Sequence, residues 1–209
     1  VLTQDMDRIR TTLENVSEES FNRAVDKIVA ADKIYIFGAM SSDILSRFLH
    51  NYLSLAFENV IYVSPINSSG ILKSLLRIGK NDVMISLSFP RYSKNTITAT
   101  AYAKKQGADI IAITDSMTSP LAEYADELLL AKSDMVSFAD SLVAPLSLIN
   151  ALLVAVGMRC RPQLDTTLVA LENLWAENEA FKKEALRLWK GRVSPVRYRK
   201  DRNFKRQLY

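Results

Sequence analysis

The sequence predicts an α/β fold: three layers, αβα, around a five-stranded, doubly wound parallel sheet in the flavodoxin-like order 2-1-3-4-5. Three observations carry that expectation. Five short β-rich runs occur at Lys33–Gly38, Asn59–Ser64, Asp82–Ser88, Asp109–Thr114 and Glu127–Ala131, and none alternates cleanly between polar and apolar residues. Strands of that kind are covered on both faces, as parallel strands are. Helical spacing fills the intervals, and strict alternation of strand and helix demands right-handed crossovers. Finally, 209 residues that are 48% apolar suffice for one substantial core.

Each element has its own justification. Leu2, Met6, Ile9, Leu13 and Val16 form a narrow seam suited to packing on another helix, so residues 1–16 are expected to be a helix flanking the sheet domain. After the first strand, Ile44, Leu45, Phe48, Leu49, Tyr52, Leu53 and Phe57 make an apolar stripe, opposite Arg47, His50, Asn51 and Ser54. Ile71, Leu72, Leu75 and Leu76 make a second stripe, and a third helix runs from Lys94 to Gln106 with Gly107 closing it. Ser141–Met158 is 18 residues without a charge, which borders on a membrane span. Pro145, Ser147 and Asn150 interrupt it, so it is read as a buried core or interface helix, with no membrane partner. Leu164, Leu168, Leu171, Leu174, Trp175, Phe181 and Leu186 then suggest a long amphipathic helix, followed by a basic arm. The expected domains are therefore 1–16, a sheet domain over 17–162, and the helix with its arm over 163–209.

Composition excludes several function classes. A lone Cys160 without a Cys/His cluster argues against disulfides and structural zinc, and no metal is expected. The charged amino end lacks the apolar core of a secretory signal, which with the single cysteine fits a cytoplasmic location. Starting at Val1 rather than Met, the sequence reads as a fragment of something longer. The net charge of +4 is uneven, since Lys182–Tyr209 holds eleven Lys or Arg against Glu184 and Asp201. Basic character therefore belongs to the tail.

The predicted strand order places a topological switch point between strands 1 and 3, and ligands bind outside the carboxyl ends of strands at such a point. The loop after strand 1 carries Ser41 and Ser42; the loop after strand 3 runs Ser88-Phe89-Pro90-Arg91-Tyr92-Ser93. Each leads into a helix whose free N–H groups and positive dipole end favour an anion. Serine hydroxyls and the Arg91 guanidinium would complete a phosphate cradle. Ser42 and Ser93 are equally suited to be plain N-caps, and Asp43 would oppose an anion unless it points away. The loop lacks the later glycines of G-x-G-x-x-G and no acid closes strand 2, so neither NAD nor FAD nor another cofactor is expected. His50 and Glu123 are the available acid–base candidates, and neither is aimed at the loops, so no catalytic residue is assigned.

In IYIFGAMSS, NDVMISLSFPRYSKNT, KKQGADIIAITDSMTSPLAEYADELLLA and SLVAPLSLINALL, the sequence from about Ser17 to Arg161 resembles the SIS (sugar isomerase) domain. The resemblance is closest to the effector-sensing half of RpiR-type transcriptional regulators. It implies a phosphosugar held by Ser41, Ser42, Ser88, Arg91 and Ser93, with the Ser137–Ser141 segment, Ser137 and Ser141 included, as the remaining wall. Ser88 and Ser93 match the first serine and the threonine of the family's S-x-S-G-x-T turn, while Pro90 and Arg91 replace its second serine and glycine. Met40 likewise replaces a usual small residue. The resemblance further implies a homodimer or dimer of dimers, and DNA binding through an amino-terminal helix-turn-helix domain that is not in this sequence, to which residues 1–16 would be the linker helix. An aldose-ketose phosphosugar isomerase using the same cradle is the alternative. A third reading is direct nucleic-acid binding by the arm, where Arg197, Tyr198, Arg199, Lys200, Arg202, Phe204, Lys205 and Arg206 interleave aromatics with cations.

Overall fold

The computed structural model describes residues 1–136 and 139–178, and within these the side chains of Met135 and Val136 are left aside. The chain divides into two compact units, Val1–Arg159 and the part from Cys160 onward. In the second unit the described element is helix α7 (Arg161–Glu177), with Pro162 in its first turn. The remainder of the expected carboxyl-terminal helix and the whole basic arm lie outside the described residues.

The first unit is built on five parallel strands: β1 (Ile34–Gly38), β2 (Val60–Tyr62), β3 (Val83–Leu87), β4 (Asp109–Thr114) and β5 (Glu127–Leu130). Their order is β2-β1-β3-β4-β5, as the sequence predicts. Ile34 of β1 stands between Val60 and Val83, and Val83 pairs with Asp109, so the central strands begin in step. Every residue of β1 and β3 is buried, which is why their sequences show no polar alternation.

Two helical layers cover the sheet. On one face, Tyr35, Phe37, Met84 and Ile110 pack with Ile71 and Leu75 of α4 (Ser68–Leu75) and Ala99 and Ala103 of α5 (Lys94–Lys105). The other layer holds α2 (Glu18–Ala30), α3 (Ser41–Leu53) and α6 (Val143–Arg159), with α1 (Leu2–Asn15) against α6. Gly107 ends α5 at φ 90°, the left-handed conformation expected of its closing glycine. Of α6, Ala144, Pro145, Leu148, Ile149, Leu152 and Val156 are buried. Among the described residues no single helix is long and apolar enough to cross a membrane.

Three features depart from or add to the sequence reading. α2 was not among the expected elements, although Ser17 caps it by accepting the Ser20 N–H and Phe21, Ala24, Val25 and Ile28 form its buried stripe. A small antiparallel pair, β6 (Met135–Val136) with β7 (Ala139–Asp140), precedes α6. The third concerns α1: Leu2, Met6 and Ile9 of its apolar seam are exposed and Leu13 and Val16 half-buried, while Arg8 and Thr12 are buried. Polar contacts, described below, fix the inner face of this helix.

Candidate functional site

Strands β1 and β3 are neighbours, and the chain leaves their carboxyl ends toward helices on opposite faces of the sheet. Two loops therefore flank one crevice, the serine-bearing start of α3 and the segment Ser88–Ser93. Close packing positions the first. A Cβ on Gly38 would lie 2.7 Å from Ser46 Oγ, 2.8 Å from the Ser42 carbonyl oxygen and 2.9 Å from Ser42 Cβ. Only glycine lets α3 start so near the strand, and Ser46 fastens that turn by donating to the Ser42 carbonyl at 3.1 Å.

Backbone conformation shapes both loops. Met40, preceding α3, has φ 58° and ψ −128°, and Arg91 has φ 67°. Side chains rarely adopt such conformations, so both loops hold non-glycine residues in glycine-like geometry. Arg91, aligned by the resemblance with the glycine of the S-x-S-G-x-T pattern, has a φ that glycine adopts readily. Both side chains project outward, Met40 being 84% exposed and Arg91 70% exposed.

The hydroxyls beneath are better shielded. Ser42 and Ser88 are buried, while Ser41 and Ser93 are half-buried. The plain capping explanation applies to neither candidate: the residue capping α3 is Met40 rather than Ser42, and Ser93, which does precede α5, makes no side-chain cap bond. Instead the Ser93 N–H donates to Ser88 Oγ at 3.3 Å, tying the two ends of the loop together. Tyr92 braces the same loop against the end of β4 by donating to Asp115 Oδ1 at 2.9 Å. Burial, then that hydrogen bond to a carboxylate, raise the Tyr92 phenol above its ordinary pKa. Asp43 accepts from Arg47 Nε at 2.8 Å and from the hydroxyl of Tyr62 on β2, so its charge is already matched. Tyr62 is pushed up to about 12 by burial and by that bond to Asp43, and Arg47 lies 4.8 Å over its ring.

The remaining expected residues are distributed as follows. Ser41 Oγ donates to Asp140 Oδ2 at 3.0 Å, and Arg91 Nη2 lies 3.6 Å from Asp140 Oδ1. Asp140, on β7, lies in the Ser137–Ser141 segment expected to wall the site, although it was not itself named as a ligand-binding residue. Ser141 turns the other way, its hydroxyl donating to Asp5 Oδ1 on α1 at 2.7 Å. Ser137 lies outside the described residues. Of the two acid–base candidates, His50 sits in the last turn of α3 with its ring edge on Tyr62 and Ser54 beside it, and Glu123 is exposed in a 3-10 turn at Ala122–Tyr124. Among the described residues, no group of three or more His, Cys, Asp or Glu is placed to hold a metal.

A five-stranded sheet in this order, with serine loops at its switch point, is matched by the SIS domain family model over residues 27–155, more than half of the sequence. The chain belongs to the SIS domain family. This SIS domain is similar to an uncharacterised HTH-type transcriptional regulator of Haemophilus influenzae, 31% identical over 131 residues covering 58% of this chain and 44% of that protein. The chain spans about half the length of the curated relatives it matches. Among solved structures, the sugar isomerase domain of the RpiR transcription factor from Sphaerobacter thermophilus shares 28% identity at a TM-score of 0.78, covering 83% of this chain and 96% of that one. The Vibrio vulnificus NanR protein complexed with ManNAc-6P shares the fold at 20% identity and TM-score 0.73, with 84% of this chain and 67% of that one covered. Phosphoheptose isomerase GmhA from Neisseria gonorrhoeae does so at 17% identity and TM-score 0.61, with 75% and 95% covered.

Proposed function

We propose that this SIS domain is the effector-sensing domain of an RpiR-type transcriptional regulator, binding a sugar phosphate between the two loops. The observation that carries the reading is the hydroxyl placement at the crevice, with Ser93 making no cap bond to its own helix. Ser42 and Ser88 supply shielded donors, the first turns of α3 and α5 supply N–H groups and a positive dipole end, and Arg91 supplies an exposed counter-charge at the rim. Asp43, the one carboxylate in the first turn of α3, is already matched by Arg47 and Tyr62, so it does not oppose an anion.

Sensing without turnover is the better supported use of this site. His50 is paired with Tyr62 and Ser54 on α3, and Glu123 faces solvent, so the two acid–base candidates belong to other surroundings. In the whole protein, the effector would bias a cytoplasmic homodimer or dimer of dimers, and DNA would be read by a helix-turn-helix domain amino-terminal to this one.

The test is a thermal-shift and calorimetric panel of hexose, pentose and amino-sugar phosphates and sugar acids. At least one should bind, and Ser42→Ala or Ser88→Ala should weaken it by at least roughly tenfold, the worth of one charge-assisted hydrogen bond. A panel with no binder, or serine variants that bind as well as the parent, would reject the site. Turnover of a bound phosphosugar would replace sensing by the isomerase reading.

A further inference from the structure

The crevice already contains an anion of the protein's own. Ser41 Oγ donates to Asp140 Oδ2 at 3.0 Å, and Arg91 Nη2 approaches Asp140 Oδ1 at 3.6 Å, so two residues of the cradle hold one internal carboxylate. A hydroxyl has a single proton to donate, so Ser41 cannot serve Asp140 and a phosphate oxygen together. Arg91 gains from either partner, but two anions brought against one guanidinium repel each other.

The residue after Asp140 looks the other way. Ser141 Oγ donates to Asp5 Oδ1 at 2.7 Å, and the same oxygen accepts from Arg8 Nη1 at 3.0 Å. Ser141 is tied to the segment before β6, its N–H donating to the Asp134 carbonyl at 3.3 Å and its carbonyl accepting from Ser133 Oγ at 3.2 Å. That segment also holds α1: the Lys132 N–H donates to Thr12 Oγ1 at 2.9 Å, and Asp134 Oδ2 lies 3.8 Å from Arg8 Nε. The buried face of α1 is thus anchored by Ser141, covalently next to the residue that fills the cradle, and by Lys132 and Asp134 of the segment to which Ser141 is hydrogen-bonded.

We infer that Asp140 is an internal mimic of the effector's phosphate, and that an arriving phosphate exchanges for it and thereby loosens the grip of Ser141 on α1. The inference rests on the phosphate cradle proposed above and names its regulation. It makes α1 the output of the domain: with the cradle empty Asp140 holds Ser41 and α1 is docked, and with an anion bound the end of β7 is released and Asp5, Arg8 and Thr12 lose a shared anchor. The coupling follows from competition for one proton donor, and it must act equally in the reverse direction.

The experiment uses the whole chain and inorganic phosphate as the probe. Calorimetry measures phosphate affinity in the parent, Asp140→Asn, Asp140→Ala and Ser141→Ala, and hydrogen exchange follows the α1 amides with and without phosphate. Both Asp140 variants should bind phosphate about fivefold tighter, the worth of displacing one partly exposed charged partner. Phosphate should speed α1 exchange in the parent by roughly tenfold. In the Asp140 variants exchange should be fast already, and in Ser141→Ala phosphate should bind with little further effect on α1. Phosphate binding with equal affinity in parent and Asp140 variants, or binding that leaves α1 exchange unmoved, overturns the inference while leaving the cradle intact. Phosphate binding to none of the four proteins overturns the cradle and the inference together.

Discussion

Replacing Gly38 by alanine tests whether the approach of α3 to β1 is what places the serines. The added Cβ would meet Ser46 Oγ at 2.7 Å, the Ser42 carbonyl oxygen at 2.8 Å and Ser42 Cβ at 2.9 Å. Ser46 can rotate away, but two of the three contacts are to Ser42, one of them backbone, so the first turn of α3 must shift. Overpacking of this kind costs about 1–3 kcal/mol. At about 2–4 °C per kcal/mol for a chain of this size, the melting temperature should fall by about 2–12 °C. The same shift carries Ser41 and Ser42 off their positions, so affinity for an effector found in the panel should drop by roughly tenfold or more. Gly38→Ala with Ser46→Ala should recover little, because the Ser42 contacts remain. Gly79→Ala is the control, since a Cβ there meets nothing within 4 Å. Melting by calorimetry and affinity by titration settle the matter. If Gly38→Ala melts like Gly79→Ala and binds like the parent, close approach is not what builds this loop.

Other outcomes can be stated briefly. Arg91→Gly should relieve a left-handed backbone and raise stability by about 1 kcal/mol in a denaturant melt, while weakening phosphate binding; loss of stability would show that Arg91 is not strained. Thr96 is fully buried and its hydroxyl has no partner, so Thr96→Val should stabilise by about 1 kcal/mol, and a destabilised variant would reveal a bond the structure lacks. Burial works to raise the Asp126 carboxyl, but hydrogen bonds from Lys104 and the Ile110 N–H outweigh it and hold its pKa below the usual range. A depressed pKa contributes stability above the unfolded value that is lost as pH falls through the folded one. Asp126→Asn should therefore be less stable than the parent at pH 7 and converge with it in acid melts; a constant gap between them would contradict this.

Much of this architecture was readable from the chain, for reasons that are local. Lys33–Gly38, Asp82–Ser88 and Asp109–Thr114 announce buried parallel strands because apolar residues on both faces leave no alternation, and the sheet order follows from the crossovers. The loops were placed by that order, and Gly107 by its turn. What escaped depended on distant partners. Asp140 reaches Ser41 across 99 residues of sequence; the resemblance brought its segment to the site, but no local pattern singles out its carboxylate. Two-residue strands such as β6 and β7 are too short to carry a period. In α1, periodicity identified Leu2, Met6 and Ile9 as residues that favour cover, whereas the inner face is held by Arg8 and Thr12. Helix α2, by contrast, carries a plain local signal, Ser17 followed by the Phe21-Ala24-Val25-Ile28 spacing.

Met40 and Arg91 hold the glycine-like backbone of their loops while their side chains stand in solvent at the rim. The mouth of the crevice can therefore be refitted without rebuilding its floor. Exchanges at these two positions alter size and charge at the entrance, whereas Gly38, Ser42 and Ser88 beneath them tolerate little change. If the proposed cradle holds a sugar phosphate, exchanges at positions 40 and 91 would change which sugars enter while leaving the floor that meets the phosphate as it is, and libraries restricted to those two positions are the economical way to redirect the domain.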